Sequence, residues 1–498
     1  MLLAFCCWLL ANSQQQKAKS KLLIINDMKK TFWLLALLLA AQFGNAQDIN
    51  PKLAAMLQHT LDSMRQVLNV KSLSAAVTLP SGETWAGARG ISSLNPLDSA
   101  TTSHLYAIGS ITKTFTAGCV LQLADEGLLS LDDSLHEWVD TIPFINPNIT
   151  IRQLLRHQSG LYDVITDGAF QPAMNAHPDS IWQYQDVVET FIHAPYFQPG
   201  GGFRYSNTNY LLLGIIIEKA TGQPYYQELH NRFALPLGLG SMAMLPYEPL
   251  TADVANLWLD LNGDGITDDT QELFETWNAF NSSAAPAGAY YGNATDLSKW
   301  IYSYFRGDLL STAMMAQMKA TVATTFPGGT KYGLGVMERN YLGLQGYGHG
   351  GDVGYSASAW YFPAKDISIA VLNNDAKNNS WTLAPVITAL LQTYIDCENA
   401  VSPAHETAPA ATVRVFPNPF SHEINLAMEA TASAAPMRFK LVDALGRVVW
   451  ASDTVAPQGG AVVCSAMGLE QLPNGLYFLQ ALQGDGELGK AVKVWKAG

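Results

Sequence analysis

The chain has 498 residues, which corresponds to two or three domains of ordinary size. Hydrophobic residues make up 48% and charged residues 14%, so a large core can form and global disorder is excluded. A net charge of −13 without any basic run argues against nucleic-acid binding, and five cysteines without CxxC spacing argue against a zinc site.

The N-terminal segment has the pattern of an export signal. Two lysines precede an apolar run at 32–41, and small residues before position 47 fit a cleavage site. Since the run is shorter than the ~20 residues of a membrane span, we expect a signal peptide at 28–46 and no stable transmembrane span. Met28 would then be the true start and residues 1–27 an upstream start-site artefact. One long signal or an N-terminal anchor is the alternative.

Residues 50–395 show alternating helix and strand patterns. Strands at both ends of this region, with helices between them, predict an α+β domain. In chain order the patterns predict a helix at 51–70, two strands around a turn at 81–82, a helix at 110–127, a short helix ending at Gly160, a helix at 209–222, an irregular stretch at 255–295, strands from 331 and a last helix ending near 395.

The C-terminal part differs in composition from the rest. Residues 396–412 are rich in Ala and Pro without periodicity, which is typical of a linker. Residues 413–498 alternate like short strands with turns at 418–419 and 474–475, which predicts a small separate all-β domain.

The stretch YAIGSITKTFTAG places Ser110 and Lys113 three residues apart, on one face of a helix. A serine in the first helical turn has its backbone N–H free at the positive end of the helix dipole. Its hydroxyl becomes a good nucleophile when a base takes its proton, and lysine can be that base if its amine is partly neutral. Taken alone, the pair also fits a helix cap beside a solvated lysine.

Two further motifs carry groups that suit the same chemistry. FRYSNTNY supplies Tyr205, which can share a proton with a lysine or act as a phenoxide base, and Asn207, whose amide can hold a substrate carbonyl and the lysine. GYGHGGDVGYSA supplies His349 and then Gly350 and Gly351, where a substrate backbone can approach a strand edge closely. The N–H that follows can complete an oxyanion hole. The sequence lacks GxSxG and HExxH, which disfavours an α/β-hydrolase or a zinc peptidase.

In this order, the three motifs resemble the serine β-lactamase and penicillin-binding family, specifically its class C β-lactamase and D-alanyl-D-alanine carboxypeptidase branch. The resemblance covers roughly residues 50–395. It implies an antiparallel sheet flanked by helices plus a mainly helical subdomain. It also implies that Ser110 is acylated, that Lys113 and Tyr205 move the proton, and that catalysis needs no cofactor.

The resemblance also implies which groups bind the substrate. Backbone N–H groups of Ser110 and Asp352 would form the oxyanion hole, and Asn207 and His349 would position the substrate. The family carries Lys-Thr-Gly or His-x-Gly as its third motif, and this chain departs from the first form, with His349 in place of the lysine and Gly350 in place of the threonine. A histidine with a pKa near ~6.5 is a weaker, pH-dependent anchor for a carboxylate, so we expect a peptidase or esterase rather than a strong β-lactamase.

Two functional hypotheses follow from the motifs. The first is a secreted serine hydrolase that acts through an acyl-enzyme on D-amino-acid peptides, β-lactams or short esters. The alternative is a catalytically silent relative that binds peptidoglycan or a partner at the cell surface. A structural adhesin would leave the three motifs unexplained.

The stretch DLNGDGITDD contains a further candidate site. Asp260, Asn262, Asp264 and Asp268 alternate as the oxygen ligands of a calcium loop do, but Gln271 stands where the last carboxylate is expected. A calcium site and an acidic surface turn both stay open. His157 and Ser159 in RHQSG are interpreted as a helix-end turn.

The C-terminal domain resembles the sorting domain of the type IX secretion system. The segments that carry this resemblance are VFPNPF, LVDALGRVV and LPNGLYFLQ. It implies a small β-sandwich that is read by the secretion machinery, and a protein that is secreted or held at the cell surface. A carbohydrate-binding or immunoglobulin-like module is the alternative.

Overall fold

A computed structural model describes residues 49–270, 276–401 and, in the tail, 413–416, 422–429, 437–443, 447–455, 461–483, 486–487 and 492–496. The predicted start segment and signal peptide, and most of the predicted linker, lie outside the described residues. The chain divides into two compact units between Ile395 and Asp396. Among the described helices, none combines the length and the apolar character that crossing a membrane requires.

The first unit is built on one large antiparallel sheet. Its order is β3-β2-β1-β14-β13-β12-β11-β10-β9, and β4-β8-β5 and β6-β7 form two small sheets. The strands in chain order are β1 (Ser72–Thr78), β2 (Thr84–Leu94), β3 (Leu97–Ser99), β4 (Tyr106–Ala107), β5 (Ala243–Met244), β6 (Trp258–Leu259), β7 (Asp268–Asp269), β8 (Tyr290–Gly292), β9 (Val322–Ala323), β10 (Lys331–Tyr332), β11 (Met337–Tyr341), β12 (Leu344–Val353), β13 (Tyr355–Phe362) and β14 (Ile367–Asn373).

Helices cover the sheet and form a subdomain beside it. In chain order they are α1 (Pro51–Leu68), α2 (Thr112–Asp125), α3 (Ile151–Leu155), α4 (Phe170–Ala176), α5 (Tyr184–Phe191), α6 (Thr208–Thr221), α7 (Tyr225–Leu229), α8 (Asn278–Gly288), α9 (Ala294–Arg306), α10 (Thr312–Met318) and α11 (Ala384–Val401). Helix α1 packs on β2 and α9 packs across β1, β13 and β14. Every residue of β1, β13 and β14 is therefore buried, as expected of central strands covered on both faces.

The centre of the helical subdomain is made by α2, α6 and α8, which pack against one another. Residues 112–121 of α2 and 208–217 of α6 are buried all round, which explains why neither helix has a polar stripe in the sequence. The predicted α+β fold, with an antiparallel sheet, flanking helices and a helical subdomain, is confirmed.

Three local predictions were wrong. The stretch 255–295, predicted to be irregular, contains α8 and β8; α8 was missed because its small residues and Pro286 give no helical period. The helix predicted to end at Gly160 ends at Leu155, because His157 takes a positive φ of 56° that breaks helical geometry. The last helix runs through Val401, so the first six residues of the predicted linker are helical.

The second unit contains two sheets. One has the order β15-β16-β19, and the other has the order β18-β17-β20-β21, with β22 also paired to β20. Apolar residues from both sheets, including Leu426, Phe439 and Leu479, share one core, which confirms the predicted small all-β sandwich. The strands are β15 (Val413–Phe416), β16 (Ile424–Glu429), β17 (Arg438–Asp443), β18 (Val448–Ala451), β19 (Ala461–Ala466), β20 (Gly475–Gln483), β21 (Gly486–Glu487) and β22 (Val492–Lys496).

Candidate active site

Ser110 lies in a short 3-10 helix, Gly109–Ile111, that leads directly into α2. The preceding Gly109 has a φ of +52°, and a Cβ there would lie 2.8 Å from the backbone nitrogen of Asp352. Only glycine fits this close approach of backbone to strand without strain. Ser110 itself is partly exposed, so a substrate can reach its hydroxyl.

The side chain of Lys113 is completely buried and points at the serine. Its Nζ donates to Ser110 Oγ at 3.1 Å, to Asn207 Oδ1 at 2.8 Å and to the carbonyl oxygen of Ala287 at 2.7 Å. Burial lowers the pKa of Lys113 from 10.5 to about 7, and the charge of Asp163 partly opposes this shift. The amine is therefore partly neutral near pH 7 and can accept the serine proton.

Asp163 fixes the orientation of Asn207. Asn207 Nδ2 donates to both carboxylate oxygens of Asp163, at 3.3 and 3.0 Å. A carboxylate only accepts, so the amide nitrogen must face it and Oδ1 is left for Lys113. Asp163 is itself buried, and burial raises its pKa. Sequence reasoning missed this residue; the available signal was an acid directly after the HQSGLY turn.

Tyr205 lies beside the same pair, with its ring centroid 5.0 Å from Lys113 Nζ. Its hydroxyl is buried and has no hydrogen-bond partner among the described residues. Burial raises the pKa of Tyr205 well above 10; the Ser110 side chain is close enough to lower it somewhat, although the two hydroxyls do not meet in hydrogen-bonding geometry. The phenol is therefore neutral at ordinary pH, which argues against the phenoxide form considered from sequence.

Strand β12 brings the third motif against the start of α2. A Cβ on Gly351 would lie 3.0 Å from the backbone nitrogen of Ser110, so this glycine leaves room between the strand and Ser110. The backbone N–H groups of Ser110 and Asp352 border the gap that Gly109 and Gly351 leave. The carboxylate of Asp352 accepts from the N–H and the hydroxyl of Ser380, both at 2.6 Å, which ties this end of β12 to the chain before α11.

His349 differs from the pH-dependent anchor expected from sequence. Its ring is fully buried, with Nδ1 2.5 Å from the carbonyl oxygen of Gly350 and Nε2 3.0 Å from the Tyr332 hydroxyl. Burial lowers the pKa of His349 to about 3. The imidazole is therefore neutral at ordinary pH, and both of its nitrogens are used within the protein.

A row of aromatic side chains continues outward from Tyr205. The ring centroid of Phe326 lies 5.8 Å from that of Tyr205, 5.6 Å from that of Phe203 and 5.4 Å from that of Trp381. All four side chains are partly exposed, so they offer apolar surface that extends outward from Tyr205. Sequence reasoning missed this row because its members lie in three separate segments.

The predicted calcium loop is partly described. Asp260 accepts the N–H groups of Gly263, Asp264 and Gly265, which lowers the pKa of its carboxyl group. Asp268 accepts the N–H of Leu261 at 3.3 Å, so the carboxylates of Asp260 and Asp268 already accept hydrogen bonds from the backbone of the loop. Across 49–270 and the other described ranges, no group of three or more His, Cys, Asp or Glu is arranged to hold a metal ion. Residues 271–275 lie outside the described part, and calcium binding stays a prediction.

Comparison with solved structures finds enzymes that act on amides. The D-stereospecific amidohydrolase of Streptomyces sp. is 28% identical with a TM-score of 0.57, over 67% of this chain and 96% of that enzyme. The D-amino acid amidase of Ochrobactrum anthropi SV3, complexed with L-phenylalanine amide, is 26% identical with a TM-score of 0.61, over 70% and 99%. Penicillin-binding protein 4* of Bacillus subtilis is 36% identical over 141 residues, which span only 30% of that protein.

The two units match two different families. Residues 414–494 match the secretion system C-terminal sorting domain, which assigns the chain to type IX export, to the cell surface or the extracellular space. Residues 57–391, which contain every candidate catalytic residue considered above, match the family described as Beta-lactamase. The chain therefore belongs to the beta-lactamase family, whose members are serine hydrolases.

Proposed function

We propose that this chain is a serine amidohydrolase that cleaves amides of D-amino acids through an acyl-enzyme on Ser110. One observation carries the proposal: a buried amine with a pKa near 7 lies 3.1 Å from the serine hydroxyl. The likeness to a D-stereospecific amidohydrolase and a D-amino acid amidase, each above 25% identity, supports the choice of substrate.

Acylation begins when Ser110 Oγ attacks the substrate carbonyl carbon and its proton passes to the neutral Nζ of Lys113. The carbonyl oxygen becomes an oxyanion, which accepts hydrogen bonds from the backbone N–H groups of Ser110 and Asp352. When the C–N bond breaks, the leaving amine takes a proton. The phenol of Tyr205 donates it and is reprotonated from Lys113, whose amine becomes neutral again.

Deacylation repeats these transfers with water as the nucleophile. Water loses a proton to Lys113 as it adds to the ester carbonyl, and Ser110 Oγ recovers a proton as the acid leaves. Throughout, Asp163 holds Asn207 so that its Oδ1 keeps Lys113 at the serine. The aromatic row of Phe203, Phe326 and Trp381 suits an apolar or aromatic side chain on the substrate.

The test uses the exported chain with D-phenylalanine amide, a D-Ala peptide, a short ester and a β-lactam, followed by product release and intact mass. We expect ammonia release from the D-amide that is lost in Ser110→Ala and kept in Ser103→Ala, an exposed serine nearby. Turnover of the ester or β-lactam without any amide would make the substrate proposal wrong. A wild-type chain that gives neither turnover nor a covalent adduct would be a silent binding module.

A further inference from the structure

The end of β12 that carries Asp352 has few restraints from its own strand neighbours. Among the described residues, β11 pairs with β12 only at 344–348, and the rest of β12 packs against the 3-10 helix of Ser110. Gly350 and Gly351 lie in this part of the strand, and backbone without a Cβ has more conformational freedom than other backbone. The direction of the Asp352 N–H must therefore be fixed by something else.

The side chain of Asp352 supplies this restraint. One carboxylate oxygen accepts the backbone N–H of Ser380 and the other accepts the Ser380 hydroxyl, both at 2.6 Å. Ser380 is buried, whereas Asp352 is exposed at the site. Because two bonds from one carboxylate reach the same residue, they define an angle as well as a distance. We call this pair of bonds the Asp352–Ser380 clamp.

Gly350 leaves the space that Ser380 occupies. A Cβ on Gly350 would lie 2.6 Å from Ser380 Oγ and 2.8 Å from Ser380 Cβ. A side chain at this position would therefore push Ser380 away from Asp352. The glycine in the middle of the third motif thus makes room for the clamp.

The loop that carries Ser380 is itself held by hydrogen bonds. The side chain of Asn379 accepts the backbone N–H of Trp381 at 3.1 Å. The carbonyl oxygen of Asn378 accepts the hydroxyl of Ser356 at 2.7 Å, and Ser356 lies on β13, the strand beside β12. The clamp therefore joins the end of β12 to a segment that is already fixed to the sheet.

We propose that Asp352 and Ser380 are positioning residues for the oxyanion hole, and that their two hydrogen bonds aim the Asp352 N–H at the oxyanion that forms on attack by Ser110. This inference rests on the proposed function. The Asp352 nitrogen would lie 2.8 Å from a Cβ on Gly109, so it borders the same gap as the nucleophile. A rotation of the strand end would turn the N–H out of this gap, and a donor stabilises the transition state only when it is already aimed.

The exposed carboxylate of Asp352 has a rival role, because D-amino acid amides carry an amino group that a carboxylate can bind as an ammonium. The two roles have different requirements. Binding of an ammonium requires the negative charge, whereas the clamp requires two hydrogen-bonding atoms in the same places. Asparagine keeps such atoms without the charge, since its Oδ1 can accept the Ser380 N–H and its Nδ2 can donate to the Ser380 hydroxyl oxygen.

The test measures kcat and KM for D-phenylalanine amide in Asp352→Ala, Asp352→Asn and Ser380→Ala. We expect Asp352→Ala to lower kcat about tenfold to a hundredfold with little change in KM, since complete loss of an oxyanion donor costs about 10²–10³. Ser380→Ala keeps the N–H bond and should lie between Asp352→Ala and the wild type. Asp352→Asn should stay within about threefold of the wild type, because it keeps both bonds.

Asp125→Ala is the matched control for folding. The Asp125 carboxylate accepts the N–H and the hydroxyl of Ser311, at 2.9 and 2.7 Å, and it lies at the end of α2 that is remote from Ser110. We expect this variant to lower the melting temperature about as much as Asp352→Ala while kcat stays at the wild-type value. An equal loss of kcat in both variants would overturn the positioning role.

The rate at which an alkyl fluorophosphonate labels Ser110, followed by intact mass, tests the same donor without turnover. In this reaction Ser110 Oγ bonds to phosphorus, fluoride leaves, and the serine proton passes to Lys113. The phosphoryl oxygen then takes the place of the oxyanion. We expect Asp352→Ala to slow labelling at least about tenfold and Asp352→Asn to label at nearly the wild-type rate, because the probe has no ammonium.

The outcomes separate this inference from the proposed function. Labelling that Asp352→Ala slows, in a chain that does not hydrolyse D-amides, removes the proposed substrate and keeps the positioning role. Hydrolysis of the D-amide by Asp352→Ala at the wild-type kcat overturns the positioning role and keeps the hydrolase. A raised KM in both Asp352→Asn and Asp352→Ala, with normal labelling, overturns it in favour of ammonium binding. A wild-type chain that is neither labelled nor active contradicts both proposals.

Discussion

The acid limb of the pH–rate profile tests how Lys113 works. A lysine with its ordinary pKa of 10.5 would be neutral in about one molecule in three thousand at pH 7, whereas a pKa of about 7 leaves half of the amines neutral. Burial therefore multiplies the concentration of the neutral amine by about 1,500. We expect kcat/KM to rise tenfold per pH unit below about pH 7 and to level off above it.

Replacing Asp163 by asparagine changes the pKa of Lys113 without altering Lys113 itself or any of its hydrogen-bond partners. The carboxylate favours the ammonium form of Lys113, so its loss lowers the lysine pKa and moves the acid limb to lower pH, by about one pH unit. The asparagine keeps an oxygen that can accept from Asn207 Nδ2, so Lys113 stays in position. We therefore expect the plateau to fall less than in Asp163→Ala, which leaves the Asn207 amide without its acceptor.

The assay is the initial rate of D-amide hydrolysis from pH 5 to 10 at substrate concentrations far below KM. Asp167→Asn is the matched control, because Asp167 lies four residues further along and pairs with His193 at 2.9 Å. We expect its profile to match the wild type. An acid limb that stays in place or moves upward in Asp163→Asn, or a wild-type midpoint near 10, would refute the assignment of Lys113 as the base.

Three other measurements test parts of the structure. Gly351→Ala places a Cβ inside van der Waals distance of the Ile108 carbonyl oxygen, so we expect loss of activity together with a lower melting temperature. Gly343→Ala, at a turn glycine with open space around it and a φ of +79°, is strained by its backbone alone, and it shows how far the melting temperature falls without loss of activity. The folded-state pKa of His349, about 3, lies below the ~6.5 of an unfolded imidazole. The contribution of the neutral ring to the free energy of unfolding is therefore complete above pH ~6.5 and falls by up to about 1.4 kcal/mol per pH unit toward pH 3. In a pH series of urea melts, the free energy of unfolding should depend less on pH for His349→Gln than for the wild type. Calorimetry with millimolar calcium should give binding heat that Asp260→Asn reduces, and a flat titration would leave the loop as an acidic turn.

The three candidate motifs could be recognised in the sequence because each one is local. Ser110 and Lys113 are one helical turn apart, and Tyr205 and Asn207 lie within one short segment. The structure brings these segments together, with Lys113 bonded to both Ser110 and Asn207. That these separate segments belong to one site was predicted from the order of the motifs along the chain, because the spacing within each motif could not show it.

The supporting groups could not be predicted, because their partners are distant in sequence. Asp163 meets Asn207 across 44 residues, and Tyr332 joins His157 to His349 across 175 and 17. No periodicity links such positions. The interpretation of RHQSG as a helix-end turn describes the backbone there, but it does not predict that the His157 ring contacts Tyr332. The neutral state of His349 also depends on burial, which a motif does not report.

The perturbed lysine, in contrast, left a signal in the sequence. Residues 112–121 read TKTFTAGCVL, with no polar stripe, and a helix of that kind is buried on every side. A lysine inside such a helix has no route for its amine to water, so it must be paired with an acid or become partly neutral. Here the contacts of Nζ are a hydroxyl, an amide oxygen and a carbonyl, and the nearest acid acts from behind Asn207. The absence of amphipathicity around Lys113, more than its distance from Ser110, is therefore what distinguishes a catalytic pair from a helix cap beside a solvated lysine.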